Sequence, residues 1–113
     1  MDLGLIPSEK EWRTIYKEIT QLLKQYDNLS DLERSHIDCA LDWVVEKKEI
    51  AHRIILDRFL KSDQNKSYNQ LAFELYYDES NIRKIRNAGY KYFAEKYKGG
   101  ELIDRCLNKR DET

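Results

Sequence analysis

Between Asn81 and Asn87 the sequence reads Asn-Ile-Arg-Lys-Ile-Arg-Asn. An arginine guanidinium can bridge the groove edge of guanine with two parallel hydrogen bonds, an asparagine amide can do the same for adenine, and a lysine neutralises phosphate. If Ile82 and Ile85 turn inward on a helix, the opposite side offers Ser80, Asn81, Arg83, Lys84, Arg86 and Asn87. Lys61, Lys66 and Lys91 would then flank a groove. The chemistry this pattern implies is non-covalent recognition of double-stranded nucleic acid. Asp78 and Glu79, just before it, would repel phosphate, although an acid can accept from the amino group of cytosine.

No other cluster points to chemistry as clearly. His36 and Cys39 stand three apart and could share a metal, but nothing completes a four-ligand set, so packing or surface roles are expected. His52 has no evident nucleophile or base partner. Asp38, Asp42, Glu46 and Glu49 recur at helical spacing and read as a wet face paired with lysines. With no glycine-rich phosphate loop and no triad order, the expectation is a chain that is not an enzyme, with no catalytic residue, metal or cofactor. Cys39 and Cys106 form no CxxC pair and read as reduced thiols. The sequence carries no signal peptide and no apolar run near twenty residues, so a cytoplasmic protein with no membrane partner is expected.

The recognition residues need helices to hold them. Three Ser-x-x-Glu/Gln boxes mark helix starts: Ser8 with Glu11, Ser30 with Glu33, and Ser67 with Gln70. After Ser8, Trp12, Ile15, Tyr16, Ile19, Leu22, Leu23 and Tyr26 form one apolar stripe, stopped by Asp27-Asn28. A second stripe, Ile37, Ala40, Leu41, Val44 and Val45, fades at Glu46-Lys47-Lys48-Glu49 and resumes at Ile50, Ile54, Ile55, Phe59 and Leu60. Two closely spaced helices are favoured over one long helix. Residues 61–66 read as a loop, followed by helices over 67–77 and 80–97, with Gly99-Gly100 as the stop. Leu102, Ile103, Cys106 and Leu107 make a last short helix. The fold class expected is all-α: a helical N-terminal arm (1–47), then a helix-turn-helix-containing bundle with a short C-terminal helix (48–113).

The two helices at 67–97 carry helix-turn-helix spacing. Leu71 and Leu75 lie one turn apart, Ala72 is small where the second helix would cross, and Ile82 and Ile85 anchor that helix. Tyr76 or Tyr77 stands where such turns commonly have glycine. Tyr76, Tyr77, Tyr90, Tyr92 and Tyr97 could stack on bases, but the expectation is that their rings complete a small core. Gly89, inside the second helix, marks either a close approach of another helix or a bend.

Residues about 50–98, "IAHRIILDRFL…SYNQLAFELYYDESNIRKIRNAGYKYFAEKY", resemble the region of sigma factors that contacts the −35 promoter element. The chain as a whole is similar to the ArpU-like and RinA-like late-gene regulators of phages and prophages. That resemblance implies transcription regulation by promoter recognition through Arg83, Lys84, Arg86 and their neighbours.

Charge divides along the chain. Residues 1–60 carry 9 Lys/Arg against 12 Asp/Glu, and residues 61–98 carry 8 against 5. The positive balance falls on the proposed motif, which favours DNA there, while the overall net charge of −1 favours a protein partner. Expected partners are therefore double-stranded DNA, RNA polymerase or another host protein, and a second copy of the chain: a homodimer formed through apolar surface left over on residues 8–60. The alternative function is a small helical inhibitor or adaptor, such as a phage-encoded anti-CRISPR or RNA-polymerase-binding protein, that needs no DNA.

Overall fold

The computed structural model describes residues 6–61 and 64–110. Ser62 and Asp63 of the expected loop, and the outer ends of the two expected domains, lie outside these. The described residues are helical with no strand: α1 (Glu9–Lys24), α2 (Asp31–Lys47), α3 (Glu49–Phe59), α4 (Tyr68–Leu75), α5 (Glu79–Lys96) and α6 (Glu101–Arg110). The all-α expectation holds.

Local chemistry sets the ends. The Ser8 and Ser67 boxes close in both directions, each serine oxygen accepting from the third amide while Glu11 or Gln70 reaches back. At Ser30 only the serine half forms. Residues 30–60 are two helices: Lys48 leaves helical geometry at φ −155°, ψ 85° and ends α2. Lys98, Gly99 and Gly100 all take positive φ, which stops α5 and lets the chain re-enter as α6.

One helix organises the rest. α5 packs against α1, α2, α3, α4 and α6. Its C-terminal half, with Tyr90, Phe93 and Ala94, and Tyr97 just beyond it join Ile15, Ile19 and Leu23 of α1 and Ile37, Leu41 and Val44 of α2 in the larger core cluster. Its N-terminal half contributes Ile82 to a smaller one with Ile54, Leu71 and Ala72. Ile85 is half-buried and touches both. The arm at 1–47 and the bundle at 48–113 therefore share one core, although the boundary between them coincides with the α2–α3 break.

Gly89 is a close-approach glycine. A Cβ built there would lie 2.7 Å from the Ala51 Cβ, so α3 and α5 meet at a distance only a bare backbone allows. The stripes of residues 8–60 are consumed inside one chain: Ile15, Ile19, Leu23, Ile37, Leu41 and Val44 are buried, and Trp12, Leu22 and Tyr26 pack against them. Little of those stripes is left for the expected dimer, Val45 being a stripe residue whose side chain stays exposed. Away from the stripes, large apolar side chains are exposed at Ile6, Leu32, Phe73, Tyr76 and Tyr77.

Candidate nucleic-acid interface

α3, α4 and α5 pack together where the helix-turn-helix spacing is expected. Leu71 and Ala72 of α4 meet Ile82 of α5 over Ile54 of α3, with Leu71 and Ile82 fully buried. Leu75, also expected inside, is half-buried at the edge of this cluster. The turn is made without glycine. Tyr76 takes the left-handed conformation (φ 61°, ψ 37°) and the Tyr77 amide donates to the Ala72 carbonyl at 3.0 Å. Such a conformation costs a residue with a side chain roughly 1–2 kcal/mol, yet the ring is 95% exposed and packs on little. Tyr76 and, at 40% exposure, Tyr77 thus depart from the expected core role, which Tyr90 and Tyr97 do fill.

Asp78 caps α5. Its carboxylate accepts from the Asn81 amide at 2.8 Å and from the Ser80 hydroxyl at 2.9 Å. Those bonds, with the nearby Lys84 charge, hold its pKa below the usual aspartate value. The acid that would repel phosphate is thereby turned towards the helix end. Asn81 and Lys84 point outward and are exposed, with Ser80 beside them. Lys91 lies two turns further along α5, its ammonium 5.3 Å from the ring of Trp12. These four are exposed on one side of α5.

The other expected residues are engaged. Lys66 bonds Glu74 at 2.7 Å, stands 3.7 Å from Asp57, and donates its amide to the Asp57 carbonyl. The Glu74 bond raises its pKa. Lys66 therefore ties the loop to α3 and α4. Arg86 is half-buried: it donates to the Tyr68 hydroxyl at 2.6 Å and to the Asn87 Oδ1 at 3.1 and 2.7 Å. Its guanidinium also lies 4.9 Å from the Tyr90 ring. Arg83 is half-exposed, 3.7 Å from Glu79 and over the face of Tyr68 at 4.7 Å. Arg83, Arg86 and Asn87 thus line the flank of α5 turned to Tyr68.

Sequence reasoning missed Arg58 and Tyr68. The Arg58 guanidinium stacks 4.9 Å from Tyr68 and 5.0 Å from Phe59. Three guanidiniums, from Arg58, Arg83 and Arg86, surround one tyrosine ring. No two of them can be more than about 10 Å apart, close enough for repulsion of about 1–2 kcal/mol at a partly desolvated site. Cation–π attraction offsets part of this. Among the described residues Arg58 makes no hydrogen bond or ion pair, and its Nε is buried with no acceptor. A donor in that state costs about 1–3 kcal/mol. Beneath the cluster Tyr90 is fully buried, its hydroxyl 2.9 Å from the Thr20 hydroxyl, and burial pushes its pKa up to about 12.

No three His, Cys, Asp or Glu residues among those described group as a metal site. No described helix is long and apolar enough to cross a membrane. Set against protein-family models, curated proteins and solved structures, the chain matches none.

Proposed function

We propose that this chain is a DNA-binding transcription regulator, of the kind phages and prophages encode, that reads double-stranded DNA with the outer side of α5. The observation that carries the reading is the α3–α4–α5 unit itself. Leu71, Ala72, Ile82 and Ile54 hold α5 so that Ser80, Asn81, Lys84 and Lys91 project together from one side. Asn81 is the base-reading residue, and Lys84 and Lys91 meet phosphates. Arg83 acts from the flank.

Fluorescence polarisation with genomic duplex fragments, titrated with salt, tests this. The affinity should fall linearly on a log–log plot with a slope of about −0.9 per phosphate contacted. Lys84→Ala should reduce that slope by about one contact on every duplex. Asn81→Ala should cost about 1–3 kcal/mol on the preferred site alone. Absence of binding to any duplex at low salt would reject the reading.

A second reading, a protein-binding inhibitor or adaptor, is favoured by a different observation. Phe73 is 84% exposed in the last turn of α4, and Tyr76, just beyond that helix, is 95% exposed. Aromatic side chains held in water are typical anchors for a protein surface. RNA polymerase or another host protein is the partner this reading calls for. Loss of binding to purified RNA polymerase in a folded Phe73→Ser/Tyr76→Ser variant would support that contact, and unchanged binding would count against it.

A further inference from the structure

We propose that Arg58, Arg83 and Arg86, gathered around Tyr68, form a phosphate-binding site. The inference deepens the DNA reading, which it takes as the source of the phosphate: a backbone phosphodiester beside the groove that α5 reads. Free phosphate offers the same chemistry, and the test separates the two.

The arrangement comes from three separate segments. Arg58 is in the last turn of α3, Tyr68 opens α4, and Arg83 and Arg86 lie on α5. Tyr68 is fixed in place because Ser67 and Gln70 close the capping box around it. Its hydroxyl accepts from Arg86, and Asn87 holds the other side of that guanidinium. Arg86 is thus oriented before any ligand arrives. The carboxylates nearby do not neutralise the group. Asp57 is taken by Arg53, Lys61 and Lys66. Glu79 pairs with Arg83 at 3.7 Å, both side chains being nearly half-exposed, and no carboxylate pairs with Arg58 or Arg86 among the described residues.

Three positive charges with one carboxylate among them, partly out of water, leave a net positive potential that an anion would quench. The planar guanidinium of arginine can donate two parallel hydrogen bonds to two oxygens of a phosphate group. The cluster also lies on the flank of α5, one residue from Lys84. A strand of DNA lying over Asn81, Lys84 and Lys91 would pass it.

The test uses the full chain. Arginine side-chain N–H resonances are followed by NMR while inorganic phosphate, and then chloride at equal ionic strength, is added. Phosphate should shift the Arg58 and Arg86 signals in a saturable way, and chloride should not. Arg58→Gln should weaken phosphate binding about tenfold, while Arg53→Gln, a control pointing to Asp57, should leave it unchanged. Tyr68→Phe removes only the hydroxyl that orients Arg86 and should weaken binding less, which covers the case where Arg58→Gln fails to fold. In the DNA arm, Arg58→Gln should lower the salt slope by about 0.9, one phosphate, without altering sequence preference. Shifts with phosphate but no duplex binding would uphold this site and remove the DNA reading. Duplex binding with an unchanged slope in Arg58→Gln, and no shift with phosphate, would overturn this site and leave the DNA reading standing.

Discussion

Replacing Gly89 by alanine should destabilise the fold although alanine is the better helix former. A Cβ at this position would sit 2.7 Å from the Cβ of Ala51, 3.4 Å from Ile55 Cδ1 and 3.5 Å from Val44 Cγ1. Ile55 could turn its chain end away. Ala51 has no rotamer to change and is itself fully buried, so the new methyl must push α3 and α5 apart. Overpacking of this kind costs about 1–3 kcal/mol, and a contact that only backbone motion can relieve belongs in the upper half of that range. Alanine in place of a mid-helix glycine favours the helix by about 1 kcal/mol. The net loss is about 1–2 kcal/mol, a drop in Tm of roughly 4–8 °C or more. Urea unfolding followed by circular dichroism measures it. A double-mutant cycle makes the cause specific. Ala51→Gly alone should lose about 1–2 kcal/mol from helix propensity and a buried methyl. Combined with Gly89→Ala, it removes the clash, so the pair should be about 2 kcal/mol more stable than the two losses added together. A Gly89→Ala protein as stable as the parent, or an additive cycle, would refute the close-approach argument.

Leu71→Ala, at a fully buried position, should cost about 2–5 kcal/mol in the same assay; Leu75→Ala, at a half-buried one, should cost clearly less, and the reverse order would contradict the packing of α4 described above. Tyr76→Gly should raise stability by about 0.5–1 kcal/mol, because relief of the left-handed backbone exceeds the extra freedom glycine gives the unfolded chain; a lower Tm would mean that the exposed ring contributes packing after all. Burial holds the pKa of His52 below its ordinary 6.5, against the opposing influence of Asp42 and Glu49. The unfolded chain therefore binds the proton more readily than the fold does, so His52 costs nothing well above about pH 6.5 and destabilises progressively as pH falls below it. His52→Gln should flatten that acid-side decline, and identical pH profiles for the two proteins would show that His52 is not its source.

What could be read from the sequence was local. The Ser8 and Ser67 caps are defined by four neighbouring residues each, and both formed as expected. The split at Lys48 was harder, because no glycine or proline marks it; it depends on how α2 and α3 each settle against α5. Arg86 illustrates a signal that was present and misweighed. It stands one helical turn beyond Ile82, so the inward spacing that buries Ile82 also carries Arg86 towards Tyr68. Tyr76 reads as a core residue by type, whereas the left-handed turn of the chain leaves its ring outside. Arg58 had no signal. Its meeting with Arg83 and Arg86 depends on how α3 crosses α5, and no spacing rule reaches that far along the chain.

The sharing of α5 between two cores has a consequence for how the molecule opens. Its amide protons are held by contacts with five other helices, so their exchange with solvent should require unfolding of the whole chain. α4 is the opposite case: eight residues long, joined mainly to α5, with Phe73 in water. Its amides should exchange through local detachment at far lower free energy. When α4 lifts, Tyr68 leaves Arg86, and the three guanidiniums lose the ring that gathers them. Docking of α4 and assembly of the arginine cluster are therefore a single event, and any anion that binds the cluster should slow exchange along α4 at concentrations too low to change it along α5.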